Sequence, residues 1–173
     1  VHGIPGERRL RHGDLVSLDA GAVLDGLYAD AATTAGIGAL NPRARRLAET
    51  TRRALEAGIA QAVIGNRLFD ISHAVQRVAE GEGFGVVREF VGHGIGRALH
   101  EDPPVPNFGP PHTGPRLQDG MVLAIEPMVT LGRPDVRVLE DGWTAVTVDR
   151  SLAAHFEHTV AITERGPEVL TRG

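Results

Sequence analysis

Four carboxylates and one imidazole are spread along this chain in an order that could hold two divalent cations. They are Asp19, Asp30, His93, Glu126 and Glu157, called the ligand cluster below. Four negative charges balance two divalent cations, so the cluster would be close to neutral only with both ions bound. Each member lies in a short motif that indicates local structure built to aim a side chain. The sequence therefore predicts a two-metal site, and this cluster is the candidate functional site of the chain.

Each acid of the cluster also has an ordinary interpretation. Asp19 or Asp30 alone is more often a surface residue or a turn cap, and Glu126 alone could be a buried acid paired with an arginine. The apolar neighbours favour the functional interpretation. An unpaired charge on a half-buried strand costs several kcal/mol unless a cation or hydrogen bonds compensate for it.

Three glycines surround His93 in the motif Gly92-His93-Gly94-Ile95-Gly96. The spacing departs from the G-x-G-x-x-G pattern of dinucleotide-binding loops, and no βαβ unit surrounds it, so we reject that function. Glycines let the backbone turn sharply and keep bulk away from the ring. One imidazole nitrogen could then reach a metal.

Composition limits the classes of protein to consider. A chain of 173 residues with 42% hydrophobic content predicts a single domain over residues 1–173. A net charge of −4 without a basic block gives no reason to expect nucleic acid or an anionic membrane as a partner. Cysteine is absent, which excludes disulfides and thiolate ligands. The sequence has no long apolar run and no signal peptide, so we expect a cytoplasmic protein.

The two aspartates are predicted to meet on a β-hairpin. Residues 14–36 form two apolar stretches around Asp25-Gly26, a two-residue turn signal. With that turn, Leu24 faces Leu27 and Asp19 faces Ala32. Asp30 then lies on the same face as Asp19, as a diagonal neighbour within about 7–8 Å.

The other elements are predicted from capping residues and apolar periodicity. Asn41-Pro42 begins a helix that should run to about Val63, and a second helix should follow Asp70 and end in the stretch 81–85. The segment 92–119 is rich in Gly, Pro and His and is expected to rim a cleft. The predicted strands are 86–91, 121–130, a hairpin of 135–140 with 143–148, 156–163, and a short strand 168–171.

Taken together, the motifs resemble the methionine aminopeptidase family in its type I bacterial form. They are His2-Gly3-Ile4-Pro5, the spacing of Asp19 and Asp30, Gly92-His93-Gly94-Ile95-Gly96-Arg97 with His100-Glu101, Ile125-Glu126-Pro127-Met128, Asp141-Gly142-Trp143-Thr144 and Phe156-Glu157-His158-Thr159. The resemblance covers essentially the whole chain. It implies an α+β fold of the pita-bread (creatinase/aminopeptidase) type, with a curved, mainly antiparallel sheet and helices on its outer face.

The resemblance also implies a role for each member of the ligand cluster. Asp19 would bind one metal, His93 and Glu126 the other, and Asp30 and Glu157 would bridge the two. Oxygen and imidazole ligands accept Co, Mn, Fe or Zn, with the choice set by supply. The two ions would activate a hydroxide for hydrolysis, and Glu126 would carry its proton to the leaving amine.

Substrate contacts are implied in the same way. His2 and His100 would be catalytic histidines that also bind substrate, while Leu99 and Trp143 would line the pocket for the methionine side chain. An aromatic residue is usual in the family where this chain has Leu99. The expected substrates are peptides and nascent proteins with an N-terminal methionine, ribosome-associated chains among them, and the enzyme is expected to be a monomer.

The chain departs from the family at its beginning. It starts at Val1 rather than Met, and the family carries a further N-terminal portion that supplies part of the methionine pocket. We therefore expect an N-terminally truncated domain that exposes apolar surface and has weak or no activity, although all five ligands are present.

Three alternatives stay open at this point. The first is a related exopeptidase of the aminopeptidase P or prolidase type, which shares the five ligands. The second is a catalytically weak pita-bread binding module, although such a module would be expected to lose ligands. The third, a glycosidase with a carboxylate pair, leaves His93 without a purpose.

Overall fold

Antiparallel strands and two helices form the architecture of the chain. The computed structural model describes residues 1–172. The helices are α1 (Pro42–Gln61) and α2 (Leu68–Gly81). The strands are β1 (Leu15–Leu24), β2 (Leu27–Gly36), β3 (Gly85–Val86), β4 (Gly92–Gly94), β5 (Glu101–Val105), β6 (Val122–Ile125), β7 (Met128–Thr130), β8 (Val136–Val138), β9 (Ala145–Thr147), β10 (Ala153–His155), β11 (Glu157–Thr163) and β12 (Gly166–Val169).

The main sheet is curved and has the order β1-β2-β11-β6-β4-β5, with β12 added to β11. A smaller sheet has the order β10-β7-β3, and β8 pairs with β9. Every pairing among these strands is antiparallel. The prediction of an α+β fold with a mainly antiparallel, curved sheet is therefore confirmed.

The first hairpin has the predicted register. Leu24 faces Leu27 and Asp19 faces Ala32. Asp25 and Gly26 both have positive φ, 51° and 77°, as a type I′ turn requires. The twist of that turn matches the twist of the strands, so two turn residues determine the pairing of both strands.

Both helices cover one face of the main sheet. Their apolar side chains share a core with β6 and β11; its buried members include Leu55, Ile71, Leu123, Ile125 and Val160. The Asn41 side chain caps α1 as predicted by accepting from Ala44 N at 2.9 Å. No helix within residues 1–172 is both long enough and apolar enough to cross a membrane.

The predicted start of the second helix after Asp70 was wrong. The helix begins at Leu68, and Asp70 lies in its first turn. There its carboxylate accepts from the backbone N–H of Arg67 at 2.8 Å and from that of His112 at 2.8 Å. An acid in the first turn also interacts favourably with the helix dipole, so the capping residue can lie inside the helix.

Two predicted strands are broken in the structure. The stretch 86–91 pairs only at Gly85–Val86, and the chain rejoins the main sheet at Gly92. The stretch 121–130 divides into β6 and β7, which belong to different sheets. Pro127 has no N–H to give to a ladder, so the chain leaves the main sheet next to Glu126.

Candidate metal centre

Strand alternation aims the acids of the second half away from the helices. On β6 the side chains of Leu123 and Ile125 enter the core under the helices, so Glu126, just beyond the strand, faces the opposite side. On β11 Val160 packs into that same core. Glu157, three residues earlier, therefore lies on the other face of the sheet.

The register brings the other members of the cluster to the same face. Asp19 on β1 and Glu157 on β11 both lie opposite Ala32 of β2, so the two acids flank one residue. Asp30 is two residues from Ala32 and shares its face. His93 on β4 lies opposite Ala124 of β6. The pairing of the strands thus brings residues from five strands or strand ends to one face of the sheet.

The side chains are within coordinating reach of one another. Ligand atoms of Asp30, His93 and Glu157 all lie within 4.8 Å of one another. His93 Nε2 is 3.5 Å from Glu126 Oε1. Asp19 lies at the edge of this group: its Oδ2 is 3.6 Å from His155 Nδ1, and Nε2 of the same ring is 3.8 Å from Glu126 Oε2. The structure thus places all five residues of the ligand cluster on one face of the sheet, with Asp30, His93, Glu126 and Glu157 nearest one another.

The carboxylates of the ligand cluster repel one another, and two of them are largely buried from solvent. Burial, and then the charges of Asp19 and Asp30, raise the pKa of Glu126 to about 8. Burial, and then the charges of Glu126, Asp30 and Asp19, raise the pKa of Glu157 to about 9. Such a group is expected to hold protons or cations rather than stay fully ionised.

Comparison with known proteins decides the family. A match to metallopeptidase family M24 extends over residues 1–164. The chain belongs to family M24. The methionine aminopeptidase of Clostridium perfringens is 54% identical over 171 residues, which is 99% of this chain and 69% of that protein. Methionine aminopeptidase 1 of Bacillus subtilis is 54% identical over 172 residues, again 99% of this chain and 69% of the relative.

Solved structures of the M24 family agree with this assignment. Methionine aminopeptidase from Thermotoga maritima matches with a TM-score of 0.95 and 54% identity over 96% of this chain and 67% of its own. Prolidase from Pyrococcus furiosus matches with a TM-score of 0.75 over 97% of this chain and 44% of its own, at 24% identity, which shows the fold alone. The resemblance to methionine aminopeptidases and the pita-bread fold are both confirmed.

The ligand cluster fits the divalent metal use of an M24 metallopeptidase. Its donors are oxygen and imidazole nitrogen, which divalent transition metals accept. Within residues 1–172, the buried Glu157 Oε1 has no hydrogen-bond partner. A cation beside that atom would offset both its lost hydration and the repulsion that raises the two pKa values.

Hydrogen bonds hold the backbone of the cluster in place. Asp30 N–H donates to Thr159 Oγ1 at 2.9 Å, and the same hydroxyl donates to Asp30 O at 2.8 Å. His93 Nδ1 lies 2.9 Å from Gly94 O, which leaves Nε2 free to face Glu126. Partners of this kind orient metal ligands, and Thr159 is the one that sequence reasoning missed.

Replacing Thr159 with Val is expected to weaken metal binding about 10–100-fold. Valine keeps the buried, β-branched shape but removes both hydrogen bonds to Asp30 and leaves its N–H unpaired. The measurement is the metal concentration that gives half-maximal activity. Thr159→Ser keeps the hydroxyl and should restore most of the affinity. If the Val and Ser variants behave alike, Thr159 acts only through packing.

Metal-free protein is expected to lose stability as pH rises from about 6.5 to about 9. Glu126 and Glu157 titrate in the folded chain near pH 8 and 9 but near 4.5 when unfolded, so the folded state holds more protons in this window. Its stability then falls as pH rises. Burial lowers the pKa of the Val1 α-amino group, which acts in the opposite sense.

The measurement for this pH dependence is the thermal midpoint in a chelator at both ends of the window. Glu157→Gln removes one of the two titrating carboxyls, so its midpoint should fall less than that of the unmodified chain. Saturating metal should also reduce the fall, because bound cations replace the protons. Parallel pH profiles for the unmodified chain and the variant would refute the explanation.

Two histidines predicted to contact substrate lie at opposite flanks of the cluster. The His100 ring packs edge-on against His93, with centroids 4.4 Å apart. His2 Nε2 is 3.9 Å from Asp19 Oδ2. The His2 backbone pairs with Ala145 in both directions, at 3.3 and 3.0 Å, which ties the N-terminal segment to β9.

The residues predicted to line the methionine pocket have different surroundings. Leu99 is half-buried, and its Cδ1 is 3.6 Å from where a Cβ on Gly21 would be, close to Asp30. Trp143 is 67% exposed, in the turn between β8 and β9. The structure thus brings Leu99 to the cluster but leaves Trp143 largely in solvent.

A broad cleft of about 870 Å³ opens beside His2. Its apolar lining includes Ile4, Leu10, Leu18 and Leu152, which are 39–66% exposed. The cleft lies on the strand β1 side of the cluster.

His155 is a site residue that sequence reasoning missed. It ends β10, is only 2% exposed, and lies between two acids of the cluster. Its Nδ1 is 3.6 Å from Asp19 Oδ2, and its Nε2 is 3.8 Å from Glu126 Oε2. Burial, and then the charge of His2, lower the pKa of His155 to about 3, so the ring is neutral. Its position two residues before Glu157 was the available signal.

Proposed function

We propose that this chain is a two-metal aminopeptidase that removes the N-terminal methionine from peptides and nascent proteins. The convergence of the ligand cluster on one face of the sheet carries the proposal. Relatives named methionine aminopeptidase, 54% identical over nearly the whole chain, support the choice of substrate. We further propose that residues 1–173 form a single catalytic domain and that the enzyme is a cytoplasmic monomer with ribosome-associated chains among its substrates.

We assign the ligands between two cations as the resemblance implies. Asp19 would hold one ion, His93 and Glu126 would hold the other, and Asp30 and Glu157 would contribute to both. The arrangement of the strands supports this division. Asp19 lies on the edge strand β1 and His93 on β4, while Asp30 and Glu157 lie on β2 and β11, two of the three strands between them. Cobalt, manganese, iron or zinc would suit these ligands.

Bound in this cage, two divalent ions would supply an activated water and an electrophile for the scissile carbonyl. Glu126 then takes the proton from that water and delivers it to the leaving amine. Burial and the neighbouring acids raise the pKa of its carboxyl to about 8 in the metal-free chain, which makes the carboxylate a stronger proton acceptor than an ordinary glutamate. His100, beside His93, donates to the peptide carbonyl as charge develops there. His2, beside Asp19, faces the leaving nitrogen.

The main competitor is an exopeptidase that cleaves before proline, because prolidases share this fold. The sequence motifs around Glu126 and Trp143 favour methionine specificity. The substrate's free amino group would lie at the ion held by Asp19, and that contact limits cleavage to a single residue. A binding module without activity is disfavoured, since all five ligands are present.

The test compares two peptides on chelator-treated and metal-restored protein. A Met-Ala peptide should be hydrolysed to free methionine after addition of cobalt or manganese, and activity should disappear with chelator. An X-Pro peptide should be cleaved at least about a hundredfold more slowly, a difference of about 3 kcal/mol in transition-state binding. Preferential cleavage of the X-Pro peptide, or hydrolysis that survives metal removal, would contradict the proposal.

A further inference from the structure

A second group of ligand atoms lies at the edge of the cluster. His2, Asp19 and His155 each offer one atom, and these atoms lie within 4.8 Å of one another. His155 Nδ1 is 3.6 Å and His2 Nε2 is 3.9 Å from the same oxygen, Asp19 Oδ2. We infer that these three residues form a further cation site, the edge site, which takes zinc in addition to the two ions of the ligand cluster.

The state of His155 is the independent observation that points to a ligand. Its ring is 98% buried, and within the described part of the chain neither ring nitrogen has a hydrogen-bond partner. A buried imidazole without partners is costly, and a cation bound to the ring would offset that cost. The nearest acceptors, Asp19 and Glu126, are 3.6 and 3.8 Å away, too far for direct hydrogen bonds.

The backbone of His155 is fixed, so its ring is held toward Asp19. His155 N–H donates to Thr34 Oγ1 at 2.8 Å, and that hydroxyl donates to His155 O at 2.7 Å. His2 is held on the other side by its pairing with Ala145. Two elements distant in sequence therefore present imidazoles to one carboxylate. Such preparation is typical of a metal site rather than of a chance surface cluster.

The donor set selects the kind of ion. Two imidazole nitrogens and one carboxylate oxygen are ligands typical of zinc, with a fourth position open to solvent. Zinc ligands at about 2.0–2.2 Å lie about 3.3–3.6 Å apart in a tetrahedron, so the present separations need only a small closure. The Asp19 side chain is 40% exposed and can rotate to make it.

Occupation of the edge site would inhibit the enzyme, a consequence that rests on the proposed function. The ion would share Asp19 with the ligand cluster and would hold His2 away from the leaving nitrogen. Two ions in the ligand cluster should activate the enzyme, whereas excess zinc should inhibit it by binding to the edge site.

Zinc stoichiometry at equilibrium tests the edge site without reference to activity. Chelator-treated protein is dialysed against zinc, and bound metal is measured for the unmodified chain, His155→Gln and a control, His73→Gln on α2. The unmodified chain and the control should each bind one zinc per chain more than His155→Gln. His155→Asn serves as a second variant, with thermal melts showing that each variant is folded.

Activity gives the second readout. With a Met-Ala peptide, the zinc concentration for half-inhibition should rise at least about tenfold in His155→Gln and stay unchanged in the control. Equal zinc content in the unmodified chain and the His155 variants would overturn the edge site. Failure of Met-Ala hydrolysis with a normal zinc difference would instead contradict the proposed function and leave the edge site standing.

Discussion

Replacing Asp30 with Asn or Glu157 with Gln is expected to lower kcat at least a thousandfold, about 4 kcal/mol of transition-state stabilisation. Both residues are proposed to lie between the two cations, so either change removes a charge that holds both ions. The activation of water and the polarisation of the carbonyl depend on those ions. Turnover of a Met-Ala peptide and metal content are measured together on each variant.

The matched controls make the same chemical changes away from the cluster. Asp25→Asn alters the tip of the same hairpin, where asparagine accepts the positive φ of 51°. Glu164→Gln alters the turn between β11 and β12, where the side chain is exposed. Both controls should keep full activity. Near-normal turnover in Asp30→Asn or Glu157→Gln would count decisively against the bridging assignment.

Loss of folding is not the expected explanation for an inactive Glu157→Gln. In the metal-free chain the pKa of Glu157 is raised because its charge is buried among other acids. At neutral pH Glu157 must therefore take up a proton when the metal-free chain folds, and a neutral amide of the same size avoids that cost. The variant should therefore melt at or above the temperature of the metal-free unmodified chain, and activity and stability should move in opposite directions.

The parts of the fold that sequence predicted well are those determined by local chemistry. Asp25-Gly26 determines the turn, the turn determines the register, and the register places Asp19 opposite Ala32. Asn41-Pro42 likewise begins α1 at the predicted residue. In both cases a few adjacent residues contain the whole signal.

The parts that were missed depend on distant contacts. The spacing of His155 from Glu157 is a weak local signal, but it does not show that β10 will pair with β7 and carry the ring to Asp19. The stretch 121–130 divides because its two halves join different sheets. From the sequence alone, Pro127 indicates that a break can occur there but not which sheet each half joins. Thr159 binds Asp30 across 129 residues of chain. Such contacts follow from the tertiary pairing, which periodicity does not encode.

The convergence of the acids on one face of the sheet could be predicted for a different reason. Each acid lies among apolar neighbours, and an isolated charge there would be unstable. That energetic conflict is visible in sequence without knowledge of the strand order. The structure adds that the acids perturb one another, since Glu126 and Glu157 have pKa values near 8 and 9. Trp143 differs from these acids, because only its position in a motif placed it in the methionine pocket. That position did not predict that the side chain would be 67% exposed.

Replacing Glu126 with Gln is expected to lower kcat by about 10²–10⁴ while the chain still binds metal at saturating concentrations. The amide oxygen can still face an ion beside His93, but the side chain can no longer accept or deliver a proton. KM should change little, because the lost interaction belongs to the transition state. Steady-state kinetics and metal content on the same sample make the comparison.

The control for Glu126→Gln is Glu168→Gln on β12, an exposed acid distant from the proton path. It should keep unmodified kinetics. A Glu126→Gln protein with two ions bound and kcat within tenfold of normal would assign the proton transfer to another group. His2 would be the next candidate, because it lies beside Asp19 on the side proposed for the leaving nitrogen. The burial that raises the pKa of Glu126 would then serve only to tighten its hold on the ion.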